Sequence, residues 1–125
     1  MFQTILVMEH LTRAEEELMQ ILWELKEAFV KDIVLKYPEP KPAYNTVSTI
    51  IRILEKKKMV GYKAYGRSHQ YFPILSKEEF LKSNTTNLMN SYFSGSPEKM
   101  LSYFAQENNI STQELEKILK NLDKL

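Results

Sequence analysis

A chain of 125 residues in which 43% are hydrophobic and 26% are charged has the composition of an ordinary globular domain, which excludes a fibre and argues against a disordered tail. Its apolar runs fall short of the roughly 18 residues that a membrane span needs, so no membrane insertion is expected. The N-terminal segment MFQTILVM lacks a positive n-region and a small-residue cleavage site, and so does not predict a signal peptide. The absence of cysteine excludes disulfides, thiolate metal sites and a cysteine nucleophile, and it suits the cytoplasm.

The net charge of +1 conceals an uneven distribution of charge along the chain. Residues 1–40 carry 4 Lys/Arg against 8 Asp/Glu, residues 41–71 carry 7 against 1, and residues 72–125 carry 6 against 7. A cationic middle between acidic flanks is typical of a protein that meets a polyanion with one face. A solvated basic loop is the alternative, and charge alone does not decide between them.

Three helices are predicted in the first half of the chain. Thr12 and Glu15 have the spacing of a capping box at the start of the first, which continues as an apolar stripe at helical spacing. A shorter second helix ends before Pro38, and a proline-rich connection leads to a third helix that begins near Tyr44. The apolar positions of the first and third helices are Leu18, Ile21, Leu22 and Leu25, and Val47, Ile50, Ile51 and Leu54.

After Gly61 the hydrophobic period changes to two. Residues 60–65 and 69–75 read as strands joined by Gly66-Arg67-Ser68. Three helices followed by a hairpin is the order of a winged helix. We therefore predict a mainly α fold with α+β elements: an N-terminal extension over 1–10 and a winged helix-turn-helix with a β-hairpin wing over 11–75.

The last fifty residues, 76–125, are predicted to form a helical dimerisation domain. Ser76 with Glu79 and Ser111 with Glu114 have capping-box spacing, and Pro97 follows Ser96 as at a helix start. Short helices with large apolar faces need another surface to cover them, either the head or a second copy of the tail. We favour the second copy, because the head has its own three-helix core. The residues assigned to this interface are Leu88, Tyr92, Leu101, Phe104, Leu115, Ile118, Leu119 and Leu122.

Catalysis finds little support in the sequence. His10 and His69 have no metal-ligand spacing, and three glycines do not make a phosphate-binding loop. The acidic run Glu15–Glu17 is explained by the favourable field at a helix N-terminus. We expect no enzyme activity, no metal and no cofactor.

A polar stripe on the third helix favours DNA recognition. Asn45, Ser48, Thr49, Arg52 and Lys56 lie at helical spacing opposite the apolar stripe, and the helix has no acidic residue before Glu55. An α-helix fits the DNA major groove and reads base edges with such side chains. The alternative is an ordinary solvated helix face.

Further cations follow this helix. Lys56 and Lys57 belong to the lysine run that ends at Lys58. They either contact DNA phosphate or interact favourably with the partial negative charge at the C-terminus of the helix. Lys63, Arg67 and His69 lie on or beside the hairpin and are assigned to DNA, where a cationic hairpin tip lies either along the backbone or in the minor groove. The aromatic hairpin residues are interpreted as packing residues rather than base-stacking platforms; they are Tyr62, Tyr65, Tyr71 and Phe72.

Three segments together resemble the penicillinase repressor family, the regulators of β-lactamase and methicillin-resistance genes with copper-responsive relatives. They are LTRAEEELMQILW (11–23), YNTVSTIIRILEKKK (44–58) and YKAYGRSHQYFP (62–73). The resemblance implies a homodimer whose winged helix binds a palindromic DNA operator and whose C-terminal region dimerises. The base-contacting positions of the family fall on Asn45, Ser48 and Thr49, with Arg52 one turn further. Asn45 and Ser48 stand where better-known members carry basic residues, so a different operator preference is implied.

The resemblance also implies a route of regulation. In antibiotic-responsive members, a membrane-bound metalloprotease sensor triggers cleavage of an Asn-Phe bond, which matches Tyr103-Phe104 here without the Asn. The C-terminal cysteine pairs of copper-responsive relatives are absent. Residues 1–7 fall outside the resemblance, and Met8 is an alternative start. The rival function is a winged-helix adaptor that binds an acidic protein rather than DNA.

Overall fold

A computed structural model describes residues 11–124, which divide into two compact units, a head that ends at Ser83 and a tail that begins at Asn84. The predicted N-terminal extension, residues 1–10, lies outside the described residues. Within residues 11–124 the chain forms six helices and one antiparallel hairpin. The predicted mainly α winged-helix fold is confirmed.

The head contains three helices and the hairpin in the predicted order. They are α1 (Arg13–Leu25), α2 (Val30–Lys36), α3 (Tyr44–Lys56), β1 (Val60–Tyr65) and β2 (Ser68–Pro73). The capping box of α1 is present, since the Thr12 hydroxyl accepts from the Glu15 amide and the Glu15 carboxylate accepts from the Thr12 amide. Helix α1 therefore begins where its sequence signal places it.

Two glycines define the hairpin: Gly66 forms its tight turn, and Gly61 allows the Phe72 ring to pack against the backbone of the first strand. Tyr65 pairs with Ser68, which leaves Gly66 and Arg67 as a two-residue loop in which Gly66 has a φ of 62°, a conformation that favours glycine. At Gly61 a Cβ would lie 2.8 Å from the Phe72 ring, so Phe72 packs where only glycine fits. The second strand begins at Ser68, one residue earlier than predicted, and ends at Pro73, two residues earlier than predicted. Proline cannot donate a backbone hydrogen bond to the ladder, which explains the end at Pro73.

A single apolar core joins these elements. Its fully buried members come from all three helices and from the start of the hairpin: Leu18, Met19, Leu22, Ile33, Val47, Ile51, Leu54 and Val60. Ala28 and Tyr71 exchange backbone hydrogen bonds of 2.9 and 2.8 Å, which fasten β2 to the chain just before α2. The wing is therefore attached to the helical body at a fixed position.

Trp23 lies off the main apolar stripe of α1 and is half-buried against the core. Its indole Nε1 donates to the Leu75 carbonyl at 2.8 Å, and its ring lies 5.3 Å from the ring of Phe80. Phe80 is buried, as is Ser83. The head consequently includes residues beyond 75, the predicted end of the winged helix.

Tyr37 carries a polar group into this core. Its ring is buried and its hydroxyl has no hydrogen-bond partner among the described residues. Burial raises the pKa of Tyr37 to about 12, and the nearby Glu17 carboxylate contributes. The hydroxyl is therefore kept neutral in an apolar setting.

The tail begins within α4 (Lys77–Tyr92) and continues with α5 (Pro97–Glu107), α6 (Thr112–Lys120) and a 3₁₀ turn, Leu122–Lys124. The predicted helix starts are confirmed: Ser76 and Glu79 form a reciprocal cap, as do Ser111 and Glu114, and the Ser96 hydroxyl accepts from the Lys99 amide. Neither α5 nor α6 contains a buried residue. Among residues 11–124, no helix is both long enough and apolar enough to span a bilayer.

Candidate nucleic-acid interface

Helix α3 presents its polar stripe to solvent. Asn45, Thr49, Arg52 and Lys56 are exposed and Ser48 is half-buried, while the opposite stripe packs into the core. The polar stripe carries no carboxylate. The predicted recognition residues thus form one continuous exposed strip.

Two hydrogen bonds organise this strip. The Thr49 hydroxyl donates to the Asn45 carbonyl at 2.9 Å, and the Arg52 guanidinium donates to the Ser48 hydroxyl at 3.3 Å. Ser48 therefore keeps its own proton available for donation, and Thr49 keeps acceptor capacity. The pairing also holds the Arg52 side chain along the helix surface.

The hairpin turns one of its faces towards α3. Because side chains alternate along a strand, Tyr62 and Ala64 share a face with their partners Tyr71 and His69. The Tyr62 and His69 rings stack nearly parallel with centroids 3.9 Å apart. Tyr71 is buried, which raises its pKa, with the Glu55 carboxylate contributing. Tyr71 thus packs as expected, whereas Tyr62 stays 41% exposed.

A cleft of about 660 Å³ opens between α3, the hairpin and the start of α2. It brings together four predicted site residues, Ser48, Arg52, Arg67 and His69. Four residues that the sequence did not assign to DNA also line it: Phe29, Lys31, Tyr44 and Tyr65. The sequence holds one signal for Lys31 in this cleft: it is a cationic residue next to the apolar positions of α2.

Two predicted phosphate contacts lie elsewhere. The Lys57 ammonium forms an ion pair with Glu15 at 2.6 Å, and the Glu15 carboxylate is buried. Lys63 belongs to the opposite face of the hairpin, where its ammonium lies 4.0 Å from the Glu27 carboxylate. Lys57 therefore fastens the end of α3 to the start of α1, a role that neither interpretation of the lysine run included.

The sequence model of the penicillinase repressor family matches residues 11–124. The chain belongs to the penicillinase repressor family. The methicillin resistance regulatory protein MecI of Staphylococcus aureus is 24% identical over 115 residues, which cover 91% of this chain and 94% of the relative. The proteins of the same name from Staphylococcus epidermidis and Mammaliicoccus sciuri are also 24% identical over 115 residues. The resemblance inferred from the three sequence segments is confirmed, and these relatives are named as regulators rather than as enzymes.

In this family member, the residues assigned to dimerisation are largely exposed within one chain. Seven of the eight leave between 41% and 78% of their surface exposed, and Leu115 is half-buried. The seven are Leu88, Tyr92, Leu101, Phe104, Ile118, Leu119 and Leu122.

The bond that the resemblance matches to a cleavage site, Tyr103–Phe104, lies inside a helix. Tyr103 and Phe104 are in the middle of α5, both more than half exposed, and the Tyr103 ring lies 5.6 Å from the Phe93 ring. Among residues 11–124, no group of three His, Asp or Glu side chains is arranged to hold a metal.

Proposed function

We propose that this penicillinase repressor family member is a transcriptional repressor that acts in the cytoplasm and binds a palindromic operator as a homodimer. The observation that carries the proposal is the exposed, carboxylate-free polar strip of α3 beside a cationic hairpin. Such a strip has the hydrogen-bonding groups that the edges of base pairs require.

Each side chain of the strip has a defined chemistry towards the major groove. The Asn45 amide can both donate to and accept from the N6/N7 edge of adenine. Ser48 and Thr49 exchange single hydrogen bonds with several bases, and the Thr49 methyl group suits contact with thymine. Arg52 can reach the O6/N7 edge of guanine or a phosphate. The Lys56 ammonium extends the strip towards the DNA backbone.

The exposed apolar side chains of the tail support dimerisation. A single chain leaves the apolar side chains of α6 in water, and each aliphatic side chain gains roughly 1.5–3 kcal/mol when it is fully buried. Association of two copies about a two-fold axis is the commonest solution for such a surface. Two heads related by that axis match a palindromic operator, and tethering them strengthens binding.

Relief of repression by proteolysis is the regulatory part of the proposal. A cut between Tyr103 and Phe104 would separate α6 from the rest of the tail. Because the bond lies in a helix, a protease requires local opening of α5 before it can bind an extended strand. A membrane-bound metalloprotease sensor would act indirectly, by triggering that cleavage.

The proposal is tested by selecting bound sequences from random DNA with the full chain. We expect an enriched palindrome and an affinity that falls steeply with salt. Asn45→Ala and Ser48→Ala should shift or relax the selected sequence, with a cost of roughly 1–3 kcal/mol at the affected base pair. Asn84→Ala and Ser91→Ala, at exposed positions of α4, are the matched controls. No enriched sequence and no salt dependence would instead favour the adaptor function.

A further inference from the structure

The cleft between α3, the hairpin and α2 combines cationic groups from three separate elements. Lys31 comes from α2, Arg52 from α3 and Arg67 from the hairpin loop. None of the described residues that line the cleft is acidic. Within residues 11–124, these three cations have no carboxylate partner. The cleft is therefore an uncompensated positive concavity.

The nearest acidic residue along α2 is already engaged. The Asp32 carboxylate accepts from the Phe29 amide at 3.2 Å and closes the capping box at the start of that helix. It is occupied with the backbone while Lys31, its neighbour, faces the cleft. The cleft also contains neutral donors in the hydroxyls of Tyr44 and Ser48.

The two edges of α3 have different surroundings. At 3.6 residues per turn, Tyr44, Ser48 and Arg52 follow one edge, and these are the α3 residues that line the cleft. Asn45 and Thr49 lie on the other edge, outside the cleft lining. The edge with Asn45 and Thr49 is thus placed for base contacts alone, while Ser48 and Arg52 lie between the base-contacting strip and an anion held in the cleft.

We infer that this cleft holds the sugar–phosphate backbone of one operator strand, with Lys31 as a phosphate contact from α2. The inference rests on the proposed function and adds a third anchoring element to the recognition helix and the wing. The cleft volume of about 660 Å³ is in the range that holds a drug-sized ligand, so the cleft has room for more than a single phosphate group. Because phosphates carry no sequence information, Lys31 contributes equally to operator and random DNA.

The test compares Lys31→Gln with Lys36→Gln in the full-length protein. Both lysines lie on α2 and are exposed, but the Lys36 ammonium pairs with Glu24 at 3.4 Å and is outside the cleft. Lys31→Gln should lower the slope of log affinity against log salt by about 0.9 per head. Counterion release then gives about an eightfold loss per head at 0.1 M salt, on operator and random duplex alike. Lys36→Gln should match the parent, and thermal unfolding of both variants should be unchanged.

A second measurement locates the phosphate. Operator phosphates are replaced one at a time by neutral methylphosphonates, and the replacement that weakens the parent most beside the recognition helix should have a smaller effect on Lys31→Gln. Equal slopes and affinities for the two lysine variants would overturn the inference, even if the cleft binds inorganic phosphate. A parent protein that binds no DNA would overturn the proposed function itself, and the two failures are therefore distinguishable.

Discussion

The head and the tail of this protein are both helical, but they bury their apolar side chains in different ways. The head packs eight fully buried side chains from four elements into one core. In the tail, α5 and α6 have well-formed caps and clear apolar stripes, yet neither contains a buried residue. Local signals therefore suffice to define a helix, while burial depends on whether a partner surface lies in the same chain.

This difference separates two kinds of substitution. Changes in the head should affect the free energy of unfolding, while changes in the tail should affect association. The following predictions test that separation.

The largest effect is expected from a charge in the tail. Leu119→Glu places a carboxylate on the apolar stripe of α6 in both copies of the proposed dimer, where it would be desolvated. We expect sedimentation to give a monomer and operator affinity to fall about 100-fold, equivalent to about 2.8 kcal/mol, through loss of avidity. Leu35→Glu, at a head position that is 68% exposed, is the control. A dimeric Leu119→Glu protein would contradict the role of this stripe.

An intermediate effect is expected from the ion pair between α1 and α3. Lys57→Ala leaves the buried Glu15 carboxylate without this ion pair, which we expect to lower the free energy of unfolding by about 2 kcal/mol. The loss is smaller than for a fully buried ion pair, because Lys57 is itself partly exposed to solvent. Lys56→Ala removes the adjacent, exposed lysine and should leave stability unchanged while weakening DNA binding. Urea unfolding measures both variants. Equal stability of the two would mean that the pair contributes nothing to the head.

The smallest effect is a gain in stability. Tyr37→Phe removes a buried hydroxyl without a partner among the described residues, so we expect the free energy of unfolding to rise by about 1 kcal/mol. The control is Tyr44→Phe, at an exposed ring.

The same variant changes the response to alkaline pH. The pKa of Tyr37 is about 12 in the folded protein and about 10 in the unfolded chain. Between these values the unfolded chain releases the phenol proton that the folded protein retains, so the parent should lose stability as the pH rises from about 10 towards 12. Tyr37→Phe should remove much of that loss, and Tyr71, whose pKa is also raised, should retain part of it. Denaturant titrations across this range give the slope. An identical slope in parent and variant would exclude Tyr37 as its source.

Local sequence signals predicted much of this architecture. The capping boxes at Thr12, Ser76 and Ser111 and the glycine turn at Gly66 depend on residues within three or four positions of one another, and each is present. The exposed strip of α3 follows from periodicity in the same way. Family resemblance added the palindromic operator and the route of regulation, which no spacing could supply, whereas the apolar faces of the tail helices already favoured a dimer.

Other features depend on contacts between distant parts of the chain. The pairing of Lys57 with Glu15 joins residues 42 positions apart, and a run of lysines gives no sign of which one is engaged. Lys63 lies away from α3 because strand register decides its face. Lys31 reaches the cleft only through the packing of α2 beside the hairpin. Long-range geometry, rather than local propensity, thus decides which cations lie beside the polar strip of α3.

The chain contains one tryptophan, and its position makes it an optical reporter. The Trp23 indole donates to the Leu75 carbonyl and packs against Phe80, so its emission depends on the attachment of the first turns of α4 to the head. Neither the cleft nor the polar strip of α3 includes it. A change in its fluorescence on adding DNA, or on cleavage of the tail, would therefore register a rearrangement transmitted through the head, without any label.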